Sequence, residues 1–255
     1  MGANVLKCIR ADEIKHSGLI DDPMYEQLLT ADVVVAWQHI NLTHGVCTMN
    51  KWIDTDHVTK YLNRADRIPH RKEGESVLLE HLPKTVNRVL DIGTGAGRLL
   101  SMVLAGHSHA DAIGLDFSPA MLEHARSQFA ANKNVQIIAA NIDESLPKLG
   151  KFDAVVSSFA IHHCAHDRKR SLYEEVYDIL NPGGIFCNLE HVASPTYRLH
   201  ERFMKSIGES VENEDPTNKL LDVQTQLDWL RVIGFEDVDC YWKWLELALL
   251  MGYRA

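Results

Sequence analysis

The chain of 255 residues predicts an α/β fold: a doubly wound, mostly parallel seven-stranded sheet with a C-terminal antiparallel hairpin and a helical N-terminal extension. Three observations predict it. From residue 87 onward, short apolar runs alternate with segments of helical period, the pattern of βαβ units and a parallel sheet. The stretch "VLDIGTGAG" (89–97) carries one such run straight into a cluster of glycines. The chain closes on two consecutive β-like segments, "EDVDCYWKW" and "LELALLMGYR". A composition of 45% hydrophobic and 24% charged residues is that of a globular chain, long enough for one α/β domain and an extension.

Residues 1–84 read as a helical N-terminal extension. "DDPMYEQLLTADVVVAWQHI" has acidic residues and Pro23 at its start and apolar positions at helical spacing; "DTDHVTKYLNRAD" and "EGESVLLEHL" read likewise. The second unit, 85–255, opens with a short buried strand, "NRVLDIG", and a helix over "GRLLSMVLAG". A strand "DAIGLDF" leads into the helix "SPAMLEHARSQFAAN", with Ser118 as its N-cap and Pro119 at the first helical position. "NVQIIAAN" and "FDAVVSSFA" are strands. "RKRSLYEEVYDIL" is a helix stopped by "NPGG", and "GIFCNLEHV" is the fifth strand. Crossovers in such a sheet are right-handed. Residues 193–221 are polar and irregular with a helical middle, and read as an insertion over the edge of the sheet. "VQTQLDWLRVIGF" is a helix that Gly234 stops, and the terminal hairpin follows. No internal repeat is visible.

The net charge of −9 repels phosphate backbones unless Lys and Arg gather in one patch. The basic clusters are "RADRIPHRK" and "HDRKR", and both read as solvated helix faces. The 5 cysteines are scattered without a CxxC pair, which points to free thiols and a reducing compartment. "MGANVLKCIR" lacks the apolar core of a signal peptide, and Leu6 stands where a myristoylation signal requires Ser or Thr. No apolar run approaches the ~18 residues of a membrane span. A cytoplasmic location is the expectation.

The glycines decide the ligand class. A dinucleotide fold reads GxGxxG, whereas Gly93, Gly95 and Gly97 are spaced GxGxG. A carboxylate, Asp91, precedes the first of them, where a pyrophosphate would be repelled and a cationic group welcomed. A second, Asp116, ends the next strand, in the position from which an acid accepts both hydroxyls of a ribose. The loop therefore suits an adenosine-like ligand with positive charge and no diphosphate.

At these residues the sequence resembles the class I S-adenosylmethionine-dependent methyltransferases. The resemblance covers roughly residues 85–255. "VLDIGTGAG" is similar to the family's glycine-rich motif, "GLDFSPAML" to its ribose motif, "IIAANIDE" to the strand-three motif, "FDAVVSSFAIHH" to the strand-four motif and "LNPGGIF" to the turn before strand five. The resemblance implies S-adenosyl-L-methionine as cofactor and S-adenosyl-L-homocysteine as product. It implies contacts from Asp91, Gly93, Thr94 and Gly95 in the loop, from Asp116 to the ribose, from Phe117 beside the adenine, from Asn141 and Ile142 at the end of strand three, and from Ser158. Two residues depart from the family pattern. Asn141 stands where Asp or Glu is frequent, although its carbonyl oxygen can still accept from an adenine amine, and Thr94 stands where Cys is frequent. Tyr61 and Arg71 fall in the segment that lids the cofactor in related enzymes, where an arginine suits its carboxylate; the bland alternative for Arg71 is a solvated helix charge.

The acceptor belongs above the C-terminal ends of the strands. Strands four and five deliver His162, His163, Glu190 and His191 there. His163, His191 and Glu190 are the candidate catalytic groups, with Glu190 able to pair with either histidine. No metal site is expected, since His162 and His163 are adjacent rather than one helical turn apart. Trp242 and Trp244 share one face of the last hairpin and read as core packing, with an aromatic wall for the acceptor as the alternative. The resulting expectation is methyl transfer to a small or medium-sized metabolite, with a small-molecule acceptor as partner and neither nucleic acid nor membrane expected. The alternatives are a tRNA-modifying enzyme that uses S-adenosylmethionine or a carboxylated derivative, a cofactor-binding protein without turnover and, disfavoured by the glycine spacing, an NAD-linked oxidoreductase. A helical N-terminal segment could pair two chains into a homodimer.

Overall fold

The computed structural model describes residues 67–255 and the backbone of two short strands, β1 (Ile40–Thr43) and β2 (Val46–Met49). These two pair antiparallel, Ile40 opposite Met49 and Thr43 opposite Val46. These strands depart from the reading of residues 1–84 as a helical extension, in a stretch that beyond Ile40 lies outside the segments of helical period. Their β-branched residues Ile40, Thr43, Val46 and Thr48 favour the pleated backbone. The other helices expected before residue 67, and Tyr61, lie outside the described residues.

Residues Thr55–Ala255 form one compact unit. In chain order its described elements are α1 (Arg71–His81), β3 (Arg88–Ile92), α2 (Arg98–Gly106), β4 (Asp111–Asp116), α3 (Pro119–Gln128), β5 (Val135–Ala139), β6 (Phe152–Ser158), α4 (His166–Ile179), β7 (Leu180–His191), α5 (Tyr197–Ser206), α6 (Val223–Ile233), β8 (Phe235–Trp244) and β9 (Leu247–Arg254). A short 3₁₀ turn, Ile161–His163, joins β6 to α4. The seven strands lie in the order β5-β4-β3-β6-β7-β9-β8. Strands β3 to β7 are parallel to one another and β9 runs antiparallel between β7 and β8. The doubly wound sheet and its closing hairpin are thus those the sequence predicts.

Alternation along the strands builds two cores. Val89, Ala154, Val156 and Cys187 pack with Leu78 of α1 and Leu99, Leu100 and Val103 of α2 on one face. Leu90, Ile92, Val155 and Phe186 pack with Leu172, Tyr173 and Val176 of α4 and Leu230 of α6 on the other. Helix α1 lies tightly against the sheet at Gly74, where a β-carbon would stand 2.8 Å from the Trp242 ring and 2.9 Å from Leu189. Trp242 is therefore a packing residue. The predicted cap is present: Ser118 Oγ accepts from Met121 N at 3.4 Å, with Pro119 opening α3. Gly234 ends α6 at φ 116°, and its N–H donates to Leu230 and Arg231 carbonyls.

The strand order reverses between β3 and β6, which leaves a crevice at their carboxyl ends, the place where open α/β sheets bind ligands. All the residues discussed below gather at that rim.

Candidate active site

The glycine loop leaves β3 and touches the end of β6. At Gly93 (φ 71°) a β-carbon would stand 2.1 Å from that of Ala160, so the two strand ends meet because this residue is bare. At Gly95 (φ 55°) a β-carbon would meet only Met121 Sδ, at an ordinary contact distance of 3.8 Å. Phe159, the residue after β6, has φ 54°. A bulky side chain in the left-handed region is a strained conformation that the surroundings must impose. Its N–H donates to Leu189 O at 2.8 Å, which ties β6 to β7 at the rim.

Asp91 is almost wholly buried. Its Oδ2 accepts the Thr94 hydroxyl at 2.7 Å, while its Oδ1 is buried with no hydrogen-bond partner among the described residues. Burial raises the carboxyl to about 7 against the Thr94 hydrogen bond, and the nearby Asp116 adds to the rise. Thr94 is thereby turned inward. Its methyl also leans on Gly114, where a β-carbon would come within 2.9 Å. Asp116 bridges two loops: Oδ2 accepts from Gly95 N at 2.8 Å and Oδ1 from Ser118 N at 2.9 Å. Burial raises its pKa, opposed by these amides and that of Phe117. Phe117 is half-buried beside it.

Asn141 Oδ1 accepts from Asp143 N at 3.0 Å, which uses one of its two lone pairs. Ile142 packs on the second core, and its carbonyl accepts from Arg168 Nε at 2.7 Å. Ser158 Oγ, at the end of β6, is buried with no hydrogen-bond partner among the described residues. Arg71 is not the solvated charge that was its alternative. It is buried, donates to Glu75 Oε1 at 2.8 Å, and lies 5.0 Å over the Phe159 ring. Glu75, fully buried, also accepts two bonds from Arg98 at 2.8 Å. Burial raises Glu75, but the two guanidiniums outweigh it and hold the carboxyl low.

The acceptor side holds the expected histidines in a different pairing. Glu190 is fully buried and meets His162 Nδ1 at 2.8 Å, not His163 or His191 as expected. It also accepts the backbone N–H of His191 at 2.9 Å. The reason is alternation: consecutive residues on a strand face opposite ways, so the His191 ring points away from the Glu190 carboxyl. Burial raises Glu190 to about 7, opposed by Lys169. Burial also drives His162 well below the ordinary range. His163 Nδ1 lies 3.0 Å from Thr217 Oγ1, whose hydroxyl donates to Asp215 at 2.8 Å. Burial and the His162 ring lower His163 to about 3. His191 Nε2 meets Glu246 Oε2 at 2.9 Å, and His200 Nδ1 meets Glu246 Oε1 at 3.0 Å.

Residues 193–221 are laced onto this rim. Lys219 N donates to His162 O at 2.8 Å and Ala193 N to Leu221 O at 3.0 Å; the buried Lys169 donates to Lys219 O. Thr217, Lys219, Glu246, Glu75 and Arg98 are the site residues that the sequence did not single out. No group of three His, Cys, Asp or Glu that could hold a metal occurs among the described residues.

The loop and its carboxylates fit an adenosylated sulfonium: two buried oxygens, Asp91 Oδ1 on β3 and Ser158 Oγ at the end of β6, have no hydrogen-bond partner among the described residues, and Gly95 of the loop meets no close neighbour. Residues 89–184 match the model of a methyltransferase domain family. That match, with the shared fold of the solved methyltransferases below, supports a class I S-adenosylmethionine-dependent methyltransferase. A demethylmenaquinone methyltransferase of Clavibacter sepedonicus is 27% identical over 62% of this chain and 69% of its own length. A carboxy-S-adenosyl-L-methionine synthase of Nautilia profundicola is 22% identical over 76% of this chain and 88% of its own. The human N-acetylserotonin methyltransferase, solved in complex with S-adenosylmethionine, shares the fold with a TM-score of 0.60 at 14% identity, over 88% of this chain and 65% of its own. The chain spans 60% to 65% of the length of several such solved structures. The cofactor of this methyltransferase is S-adenosylmethionine, and no helix of the described residues is long and apolar enough to cross a membrane.

Proposed function

We propose that this methyltransferase transfers the cofactor's methyl group to a small or medium-sized metabolite. The observation that carries the reading is the lacing of residues 193–221 across the rim through Lys219, Thr217 and His200. A mouth covered in this way suits a compact acceptor rather than a polymer.

The charges support the same reading. Nucleic-acid binding needs the basic clusters to be exposed and unneutralised. Arg168 pairs with Glu175 at 2.5 Å, Arg170 with Glu174 at 3.6 Å and Arg71 with Glu75, while Lys169 is fully buried. The demethylmenaquinone methyltransferase among the relatives is consistent with a small acceptor. The carboxy-S-adenosyl-L-methionine synthase among them keeps cofactor modification as a second chemistry.

In this reading Asp116 holds the ribose, Gly93 and Gly95 let the loop approach the ligand, Asp91 Oδ1 and Ser158 Oγ accept from or donate to it, and Asn141 faces the adenine. Arg71 and Tyr61 belong to the lid. The bound sulfonium supplies an electrophilic methyl whose departure leaves a neutral thioether. The chain's own residues hold the acceptor in line and exclude water, a positioning effect worth up to roughly 7–11 kcal/mol in favourable cases. His163, His191 and Glu190 are the groups at hand to take a proton.

The test is transfer of labelled methyl from S-adenosylmethionine into a cell extract separated into small molecules, protein and RNA. Label in the small-molecule fraction is expected. Label confined to RNA or protein would overturn the reading.

A further inference from the structure

We infer that Glu246 is the positioning residue for His191, and that His191, through its Nδ1, is the group that removes a proton from the acceptor. The inference rests on the methyl-transfer reading above and deepens it, since a dedicated base implies an acceptor, such as a hydroxyl, that must lose a proton as it attacks.

The geometry is specific. Glu246 lies in the turn between β8 and β9, one residue before Leu247, which pairs with His191 across the sheet. Its side chain is fully buried and that of His191 is 12% exposed. Val192 N donates to Glu246 O at 2.8 Å, so the backbones of the two segments are fixed at the contact. A buried carboxylate at 2.9 Å from an imidazole nitrogen does two things. It orients the ring, and it sets the tautomer: an ionised carboxylate only accepts, so Nε2 must carry the proton and Nδ1 is left with the lone pair.

Glu246 is kept in that state. Burial pushes its pKa up, but the hydrogen bonds of His191, Ser194 and His200 outweigh this and hold it below the ordinary glutamate range. His191 Nδ1 has no hydrogen-bond partner among the described residues. The charged and titratable groups that face the ring are Glu246 from the hairpin turn, His162 from the 3₁₀ turn at 5.6 Å between ring centres, and, through Glu246, His200 of α5, which bridges Glu246 to Glu214; Glu190 of β7 touches the backbone N–H of His191 and not its ring. Phe203 of α5 packs on the ring at 5.0 Å and keeps that side dry.

The alternative base, His163, is the weaker one. Its Nδ1 is already engaged by the Thr217 hydroxyl at 3.0 Å, and burial lowers its pKa. His191 has instead a carboxylate that stabilises the imidazolium. In the step itself the acceptor's X–H bond breaks, the proton goes to Nδ1, and the electron pair stays on the acceptor atom that attacks. The imidazolium so formed is balanced by Glu246.

Two measurements test this. In the unliganded wild-type protein, ¹⁵N-detected imidazole spectra should show His191 as the Nε2–H tautomer; an Nδ1–H tautomer overturns the inference with no variant needed. In Glu246→Gln, the Nε2–H preference should be lost, kcat should fall by ~10²-fold or more, a general-base effect, and the acidic limb of the kcat profile should move to lower pH. KM for the acceptor and affinity for S-adenosylhomocysteine should hold. Unchanged kcat with an unchanged profile overturns the inference. If the tautomer result holds while the wild-type protein methylates no small molecule, the methyl-transfer reading fails and the positioning of His191 by Glu246 stands.

Discussion

Each of two neighbouring glycines in the loop has its own work, and substitution should separate them. Gly93 combines a left-handed backbone with a β-carbon position 2.1 Å from Ala160. Alanine there adds a conformational cost to overpacking that typically costs ~1–3 kcal/mol, so Gly93→Ala should lower stability by about 2–4 kcal/mol. Gly95 has the same backbone requirement without the clash, and Gly95→Ala should cost only ~1 kcal/mol while weakening cofactor binding. Denaturant unfolding of both variants checks the order; equal costs would mean that the β3 and β6 ends do not meet at Gly93. Asp91 gives a pH signature. Its carboxyl stands at about 7 before ligand binds, and a cationic ligand group favours the ionised form. Binding at pH 6 should therefore release a proton, and affinity should rise as pH climbs toward about 7. Calorimetry in buffers of different ionisation enthalpy reads the proton directly. Asp91→Asn should abolish the pH dependence; if the variant keeps it, the proton belongs to another group.

Helix ends and strand ends carry the element-scale account. Asp222 caps α6, with Oδ1 accepting from Thr225 N at 2.8 Å and Oδ2 accepting the Thr225 hydroxyl at 2.7 Å. Burial raises Asp222, but these bonds outweigh it and lower the carboxyl below 3.8. A lowered folded-state pKa means that the stabilisation is present above the unfolded value and is lost as pH falls through the folded one. Asp222→Ala should cost ~1 kcal/mol at neutral pH and progressively less in acid; a cost independent of pH would contradict the capping role. The same scale explains what was legible in the sequence. Apolar period, Ser118 with Pro119 and the Gly234 stop are local signals, and the elements they mark from residue 71 onward are present. Glu246, Thr217 and Lys219 were not legible because their partners His191, His163 and His162 are 55, 54 and 57 residues away in the chain. Pattern along one segment does not report which distant segment it will meet. The β1–β2 pair was missed for a different reason: each strand has only 4 residues, too few to show a period of its own between two helical stretches.

At the scale of the molecule, a doubly wound sheet places every chemical group at one rim. The glycine loop, Asp116 and Ser158 come from β3, β4 and β6, and the histidines from the ends of β6 and β7, with 193–221 laced above them. The glycine-loop half of this arrangement was readable from motifs because it depends on short loops following strands. The histidine half was readable only as a list of residue types, since its pairings are made across the sheet and through residues 193–221. The central claim is that the rim binds an adenosylated sulfonium through Asp116, and a calorimetric titration of S-adenosylhomocysteine into the wild-type protein and Asp116→Ala tests it most directly. Wild type should bind one equivalent. The variant should lose the ribose bonds, hydrogen bonds to a charged acceptor being worth ~1.5–3 kcal/mol each, and should lose some stability too because Asp116 also holds Gly95 and Ser118; a parallel melting curve shows whether it is folded during the titration. A folded variant that binds as tightly as wild type, or a wild-type protein that binds nothing, would contradict the account.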